Sequence, residues 1–339
     1  MKKIICPKCM EVIDRKEQLV LTRRWDVEDP VPCCPHCHYE IRDDINEKNY
    51  FPILFAGGKM VGKTTYALSL MNEIKHSFVK NFPIRQDTVH ENSSEMYDMF
   101  FNKGVLPPIP YPNIFRDSYR FLYKLSSYGR RKDIYLGVFD FPGQSISTDY
   151  NMEHTALPAS TFPRMKGIFF FVDPTQYASV RNCVKDRTVL PAMFSSPCEE
   201  LARIINSIRH TSDLHPGKQI DIPVAVILTK TDVLEREGII LPSDCLARES
   251  EHIAKGAYVK AEHDRIQFEM ENLFGQYVGS EMLYLLDNFK KWALFGTSAL
   301  GFSADADKNF ISPKDINPKR VLDPLLWILS ERKFIETVK

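Results

Sequence analysis

The chain has 339 residues, enough for one large domain with a small module attached, and 44% of them are hydrophobic, enough for a sizeable core. Lys plus Arg (44) balances Asp plus Glu (44), so no net field recommends nucleic acid or an anionic membrane as a partner. The longest apolar runs, such as 168–172, fall far short of the roughly 20 residues of a membrane span. The opening MKKIICPKC lacks the apolar core of a secretion signal, so a cytoplasmic location is expected.

Five of the eight cysteines lie in the first 37 residues. CPKC (6–9) and CPHC (34–37) stand 24 residues apart, the arrangement of two knuckles of a zinc ribbon. Cys6, Cys9, Cys34 and Cys37 are the expected zinc ligands, with Cys33 as substitute if the second turn is shifted by one. His36 and His38 read as solvated histidines, and the scattered Cys183, Cys198 and Cys245 as buried structural thiols. Residues 1–50 carry nine basic and ten acidic side chains, which disfavours nucleic acid and leaves a structural or protein-docking ribbon. The pattern changes near residue 48, giving an expected ribbon over 1–48 and a second domain over 49–339.

The apolar run YFPILFAG (50–57) predicts a buried strand and leads into GGKMVGKT (57–64), with a helical segment after it. Gly57, four residues, then Gly62, Lys63 and Thr64 satisfy the phosphate-loop pattern in the strand-to-helix context it needs. Glycines let successive backbone N–H groups of Gly58, Lys59 and Gly62 face phosphate oxygens at a helix N-terminus. Lys63 would reach the outer phosphates, Thr64 would offer a hydroxyl to Mg²⁺, and Thr65 would face the inner phosphates. Residues 77–114 read as an elaboration ending in the proline-rich VLPPIPYPN (105–113), which can continue neither helix nor central strand.

The segment 115–127 alternates and fits an edge strand, whereas 132–141 is a buried strand ending in DFPGQ (140–144). There Asp140 could hold Mg²⁺ through water, the Gly143 N–H could bind a γ-phosphate, and Gln144 could orient an attacking water. A further strand is expected at 167–173. CEELARIINSIRH (198–210) follows as a helix with Leu201, Ile204, Ile205 and Ile208 on one face. The strand at 222–229 ends in TKTD (229–232). A carboxylate accepts both the ring N–H and the exocyclic amine of guanine, whereas adenine opposes it with an acceptor. Asp232 therefore suits guanine, Thr229 closes the strand, and Lys230 would lay its stem along the base. Residues 233–290 are charged and helical in period, a second elaboration. The last strand, 291–298, leads into GTSALG (296–301), where Ser298 and Ala299 would let a backbone N–H approach the guanine carbonyl.

Strands alternating with helices indicate an α/β fold with a mainly parallel sheet in a three-layer sandwich. GGKMVGKT, DFPGQ, TKTD and TSA, in this order, resemble the Ras-like, translation-factor-related class of P-loop GTPases over roughly residues 50–335. With the cysteine module, the set is also similar to the bacterial double-GTPase families of conflict systems. The resemblance implies GTP or GDP with Mg²⁺ as ligands and slow GTP hydrolysis as a regulatory switch, with the ribbon or the helical elaboration docking a protein partner. The class supplies a threonine from its first switch loop, yet 77–114 offers only Thr88. That departure leaves a second expectation, a scaffold holding guanine nucleotide without turnover; an ATPase is opposed by TKTD. Arg85, Arg116, Arg130 and Arg131 read equally as solvated, so none is singled out as a catalytic arginine.

Overall fold

A computed structural model of the chain describes residues 3–14, 16–23, 29–42, 44–91, 93–107, 119–140, 159–186, 190–193, 196–215, 217–302 and 310–339. The first strands are short: β1 (Ile4–Ile5) pairs antiparallel with β2 (Val12–Ile13), and β3 (Val20–Thr22) with β4 (Val31–Cys33). They belong to the cysteine module.

The main sheet comprises β5 (Tyr50–Gly57), β6 (Ile84–Glu91), β7 (Tyr119–Ser127), β8 (Lys132–Asp140), β9 (Gly167–Val172), β10 (Val224–Leu228) and, after the two-residue β11 (Tyr258–Val259), β12 (Trp292–Gly296). Their order is β12-β10-β9-β5-β8-β7-β6. The five strands from β12 to β8 run parallel, while β7 is antiparallel to both of its neighbours. A short parallel pair joins β11 to β13 (Thr337–Val338). Every residue of β5, β9 and β10 is buried, because both faces of the sheet are covered, so these strands read as continuous apolar runs.

The helices in chain order are α1 (Lys63–Glu73), α2 (Val79–Asn81), α3 (Ser94–Phe101), α4 (Ala178–Arg181), α5 (Pro197–Thr211), α6 (Thr231–Arg236), α7 (Glu251–Lys255), α8 (Lys260–Leu273), α9 (Glu281–Leu286) and α10 (Asp323–Glu331). A π-helical stretch, Ile74–Phe78, joins α1 to α2. One face of the sheet packs Phe51, Ile53 and Phe55 against Tyr66, Leu70 and Met71 of α1 and Leu325, Ile328 and Leu329 of α10. The other packs Leu54, Ala56, Ile168 and Phe170 against Leu201, Ile204, Ile205 and Ile208 of α5 and Ile266 and Met270 of α8. Helices on both faces of a mostly parallel sheet make the expected three-layer α/β fold.

One expectation is corrected. The strand at 119–127 is not an edge: β6, inside the expected elaboration at 77–114, covers it from Ile84↔Ser127 to Glu91↔Phe121. IRQDTVHE is polar because it is itself the edge, and its charged side chains discourage pairing with another chain. Helix α3 follows within the same segment, while the proline-rich residues 108–113 lie outside the described residues. The segment 233–290 is helical as expected, built from α6 to α9 with the two-residue β11. Among the described residues no helix is long and apolar enough to cross a membrane.

The cysteine module does not hang free of the sheet. Ile4, Ile5, Met10, Ile13, Ile41 and Ile45 share one buried cluster with Tyr50, Leu122 and Tyr135. Tyr50 Oη donates to the Pro7 carbonyl (2.7 Å), Lys124 Nζ lies 2.8 Å from Asp44, Tyr135 Oη donates to the same Asp44, and Tyr39 meets His90 edge to face at 5.4 Å. The module thus contacts β5, β7, β8 and β6. Tyr50 reaches Pro7 by lying over Gly137 of β8: a Cβ at 137 would stand 3.0 Å from Tyr50 Oη and 3.1 Å from Cε2. We predict that Gly137→Ala destabilises the protein by about 1–3 kcal/mol, the usual cost of overpacking. A urea unfolding midpoint equal to that of the native chain would contradict this packing role.

Candidate nucleotide and metal sites

The C-terminal ends of the parallel strands gather the sequence motifs on one edge of the sheet. Gly57 closes β5 at φ 136°, where a Cβ would stand 2.5 Å from the Phe171 carbonyl oxygen, and Gly62 caps α1 at φ 90°. Only glycine adopts both conformations readily. The loop turns Lys63 inward, where its Nζ donates to the carbonyls of Gly57 (2.8 Å) and Gly58 (2.6 Å). Burial pushes the Lys63 ammonium below its ordinary value, and the charges of Asp140 and Glu200 oppose that shift. A phosphate against Nζ would oppose it further, favouring the charged form. Thr65 sits in the first turn of α1, and Lys59 is half-buried within the loop.

Thr64 Oγ1 donates to Asp140 Oδ2 at 2.7 Å. Arg120 Nε (3.1 Å) and Nη2 (2.9 Å) donate to the same oxygen, while Asp140 Oδ1 is buried with no hydrogen-bond partner among the described residues. A threonine hydroxyl and a carboxylate whose second oxygen is buried and unsatisfied form a hard-oxygen donor pair that fits Mg²⁺. Gly143 and Gln144 lie outside the described residues. Thr88 is on β6 opposite Tyr123, its hydroxyl accepting from Gln86, roughly 16 Å from Asp140 by strand rise and spacing. It is placed as an edge-strand residue, away from the Thr64–Asp140 pair.

Two strands from β5 and three from β8, TKTD closes β10. Thr229 donates through N (2.9 Å) and Oγ1 (3.2 Å) to the Val172 carbonyl, which pins the strand end to β9. Lys230 caps α6 in the left-handed region (φ 54°), and its Nζ lies 2.6 Å from Asp173 Oδ2. Ser298 Oγ donates to Asp232 Oδ1 and accepts from the Gly301 N–H at 2.8 Å, so TKTD and TSA meet. Ser298 also exchanges both backbone hydrogen bonds with Lys319, and the Ala299 carbonyl accepts from Ser69 of α1.

Three contributors escaped the sequence reading. Arg120 was hidden in an alternating strand. Asp173 ends the predicted strand 167–173 at the same sheet edge, a signal that was present; its Oδ1 accepts from the Thr175 N–H (2.8 Å) and Oγ1 (2.6 Å), leaving Oδ2 for Lys230. Glu200 of α5 is buried beneath the phosphate loop, where a Cβ at Gly58 would stand 3.0 Å from its Oε1. Of the arginines considered, Arg85 pairs with Asp87 at the surface, Arg130 and Arg131 are exposed, and Arg116 lies outside the described residues.

One solved structure, the Arl6 BBS3 small GTPase from Trypanosoma brucei with bound nucleotide analogue GppNp, is similar to the chain. The identity is 10%, the match covers 85% of this chain and 99% of that one, and the TM-score is 0.31. A likeness that distant says nothing of this chain's ligand. No family model and no curated protein matches the sequence.

The second site lies in the cysteine module. The Sγ atoms of Cys6, Cys9, Cys34 and Cys37 all fall within 4.8 Å of one another. Cys6 and Cys37 are 3.5 Å apart and Cys9 and Cys34 3.7 Å apart. Sulfurs each about 2.3 Å from one tetrahedral zinc lie about 3.8 Å from one another, so the four fit that ion. Both knuckles repeat one backbone path: Met10 N donates to the Cys6 carbonyl and His38 N to that of Cys34, with Met10 (φ 62°) and His38 (φ 56°) in the left-handed region. Hydrogen bonds from Cys6 and Cys9 pull the Cys37 thiol down to about 2, while hydrogen bonding to Cys34 and Cys37 pushes Cys6 up. Cys33 is buried beside the cluster but does not join it, and His36 contributes only a backbone N–H to Cys34 Sγ (3.4 Å). We predict that Cys34→Ser abolishes stoichiometric zinc in the purified protein, whereas Cys33→Ser retains it, measured by elemental analysis. Zinc retained in Cys34→Ser and lost in Cys33→Ser would show that the second knuckle is shifted by one.

Proposed function

We propose that this protein binds guanine nucleotide across the C-terminal edge of its sheet and hydrolyses GTP slowly as a regulatory switch. The observation that carries the reading is that Asp232, which meets Ser298, follows β10, two strands from the β5 whose loop bears Lys63 and Thr64 and three from the β8 that ends in Asp140. Two strand spacings are roughly 10 Å, the scale of the nucleoside that separates a base from its phosphates. In this reading the N–H groups of Gly58, Lys59 and Gly62 cradle the phosphates, and Lys63 neutralises their charge. Thr64 and Asp140 hold Mg²⁺, and Thr65 faces the inner phosphates. When bound, that ion supplies further charge neutralisation at the outer phosphates. Asp232 accepts the two guanine donors, Lys230 covers one face of the base with Asp173 fixing its ammonium, and Thr229, Ser298 and Ala299 shape the strand ends around it. Gly143 would bind the γ-phosphate and Gln144 would orient water.

The ribbon, over 1–48, and the domain over 49–339 are proposed as separate units of sequence joined by a common core. A protein partner would meet the outer side of the ribbon, where Leu21 is 68% exposed, or the helical elaboration. Thr88, held in β6, favours a second reading in which the nucleotide is retained as a structural cofactor without turnover. Multiple-turnover phosphate release supports the switch; copurified nucleotide that does not exchange supports the cofactor.

We predict that the protein prefers GTP to ATP by at least about tenfold, since each opposed polar group at a buried base edge costs about 1–3 kcal/mol. Asp232→Asn exchanges an acceptor for a donor, so it is expected to weaken GTP by a similar factor and to strengthen xanthosine triphosphate, whose base carries an extra carbonyl. Calorimetric titration of native and variant protein checks both. Equal affinity for ATP and GTP would sink the guanine reading.

A further inference from the structure

The phosphate end already holds a cation. Arg120 lies where β7 slips register against β8, between Tyr119↔Phe139 and Phe121↔Val138. A bulge adds one residue to a strand and re-aims its side chain, which is a recurrent device beside functional sites. The re-aimed guanidinium is 10% exposed and its partner Asp140 is 0% exposed, so this pair is not a solvated surface contact. Both of its contacting nitrogens, Nε and Nη2, converge on Asp140 Oδ2, the oxygen that also accepts from Thr64. Thr64 and Asp140 are the residues that would hold Mg²⁺, and the charges around them are those of Lys63, Arg120, Asp140 and Glu200.

We propose that Arg120 is a resident cation of the phosphate end that competes with Mg²⁺ for Asp140, so that nucleotide binding to this chain depends only weakly on Mg²⁺. The inference rests on the guanine-nucleotide reading. Mg²⁺ keeps a shell of waters that could reach the open Oδ1, yet it brings two further positive charges beside the guanidinium, so the two cations repel across one carboxylate. Either Mg²⁺ stays weakly held, or Arg120 leaves Asp140. A guanidinium released there is shaped to take two phosphate oxygens in a fork, so the positive charge lost at the carboxylate is returned to the nucleotide. Asp140 Oδ1 shows that the pair does not exhaust the carboxylate: one oxygen carries three donors and the other none.

The test uses full-length, zinc-loaded protein and the fluorescent probe N-methylanthraniloyl-GDP, with affinity measured from excess EDTA through millimolar free Mg²⁺. Native protein is expected to bind the probe with nearly equal affinity across that range. Arg120→Gln is expected to lower the Mg²⁺ concentration at half-effect by about tenfold or more, the scale of losing a charge-assisted hydrogen-bonded pair. It should also make binding in EDTA weaker than native. An arginine that only braced the fold would weaken binding alike with and without Mg²⁺ and leave the midpoint in place. Arg120→Lys, which keeps the charge on a single donor, is expected to fall between the two and serves if the glutamine variant does not fold. Probe binding with an unmoved or raised Mg²⁺ midpoint in the variants, or a native protein that releases the probe in EDTA, overturns the role of Arg120 alone. Failure of the native protein to bind the probe under any condition overturns the nucleotide reading and this inference with it.

Discussion

A single carboxylate oxygen organises the GGKMVGKT end of the sheet. Asp140 Oδ2 accepts from Thr64 at the start of α1 and from Arg120 at the start of β7, so one atom ties together the loop after β5, the end of β8 and the strand beyond it. A charge with essentially no solvent access survives only when paired, and removing one partner of such a pair typically costs about 3–5 kcal/mol. That constraint explains why β7 bulges at Arg120. It also places the glycines of the loop, since Lys63 can turn onto the Gly57 and Gly58 carbonyls only if the chain passes through left-handed conformations on the way.

The TKTD and TSA end is supported from further away. Ser298, which meets Asp232, is paired on both backbone groups with Lys319, and Lys319 Nζ lies 2.6 Å from Glu235 of α6. The next residue, Arg320, is almost wholly buried and binds Asp323 (2.7 Å), Glu262 of α8 (2.8 Å) and the Cys245 carbonyl (2.7 Å). Glu262 in turn accepts from the N–H groups of Glu251 and His252. The helical elaboration is therefore joined through buried, paired charges to the segment that sets the TSA loop, with Arg320 Nε left without a partner among the described residues. Such networks fix one arrangement because each half-satisfied alternative strands a charge in the interior.

Most of the sheet was legible because burial on both faces writes itself into unbroken apolar runs, as in VAVIL of β10 and GIFFFV of β9. The loop motifs were legible because they follow such runs. What escaped was whatever depends on a neighbour remote in sequence. β6 is polar and takes its strand conformation from pairing with β7 rather than from its own composition. Arg120 has no local signature: its role comes from a register slip and from a carboxylate 20 positions later. Asp173 was visible as a strand end, yet its partnership with Lys230 appears only when β9 and β10 lie side by side. The cysteine spacing announced four ligands, but nothing in it announced that the ribbon's apolar side would face Tyr50, Leu122 and Tyr135.

That last contact bears on how the chain comes to be made. The knuckle carbonyl of Pro7 is held by Tyr50, but the rest of the ribbon's seat comes from residues far downstream, including Tyr135 of β8 and Arg164, whose guanidinium meets the Met10 carbonyl. At translation rates of about 5–20 residues per second, the ribbon emerges roughly 5–20 s before its seat is complete. During that interval nothing covers its isoleucines, and so short a segment has little core of its own. Four thiolates closing on one zinc ion would hold it in shape while it waits. Metal supply during synthesis, as well as metal retention afterwards, would then be a condition for closing the face of the sheet opposite α1.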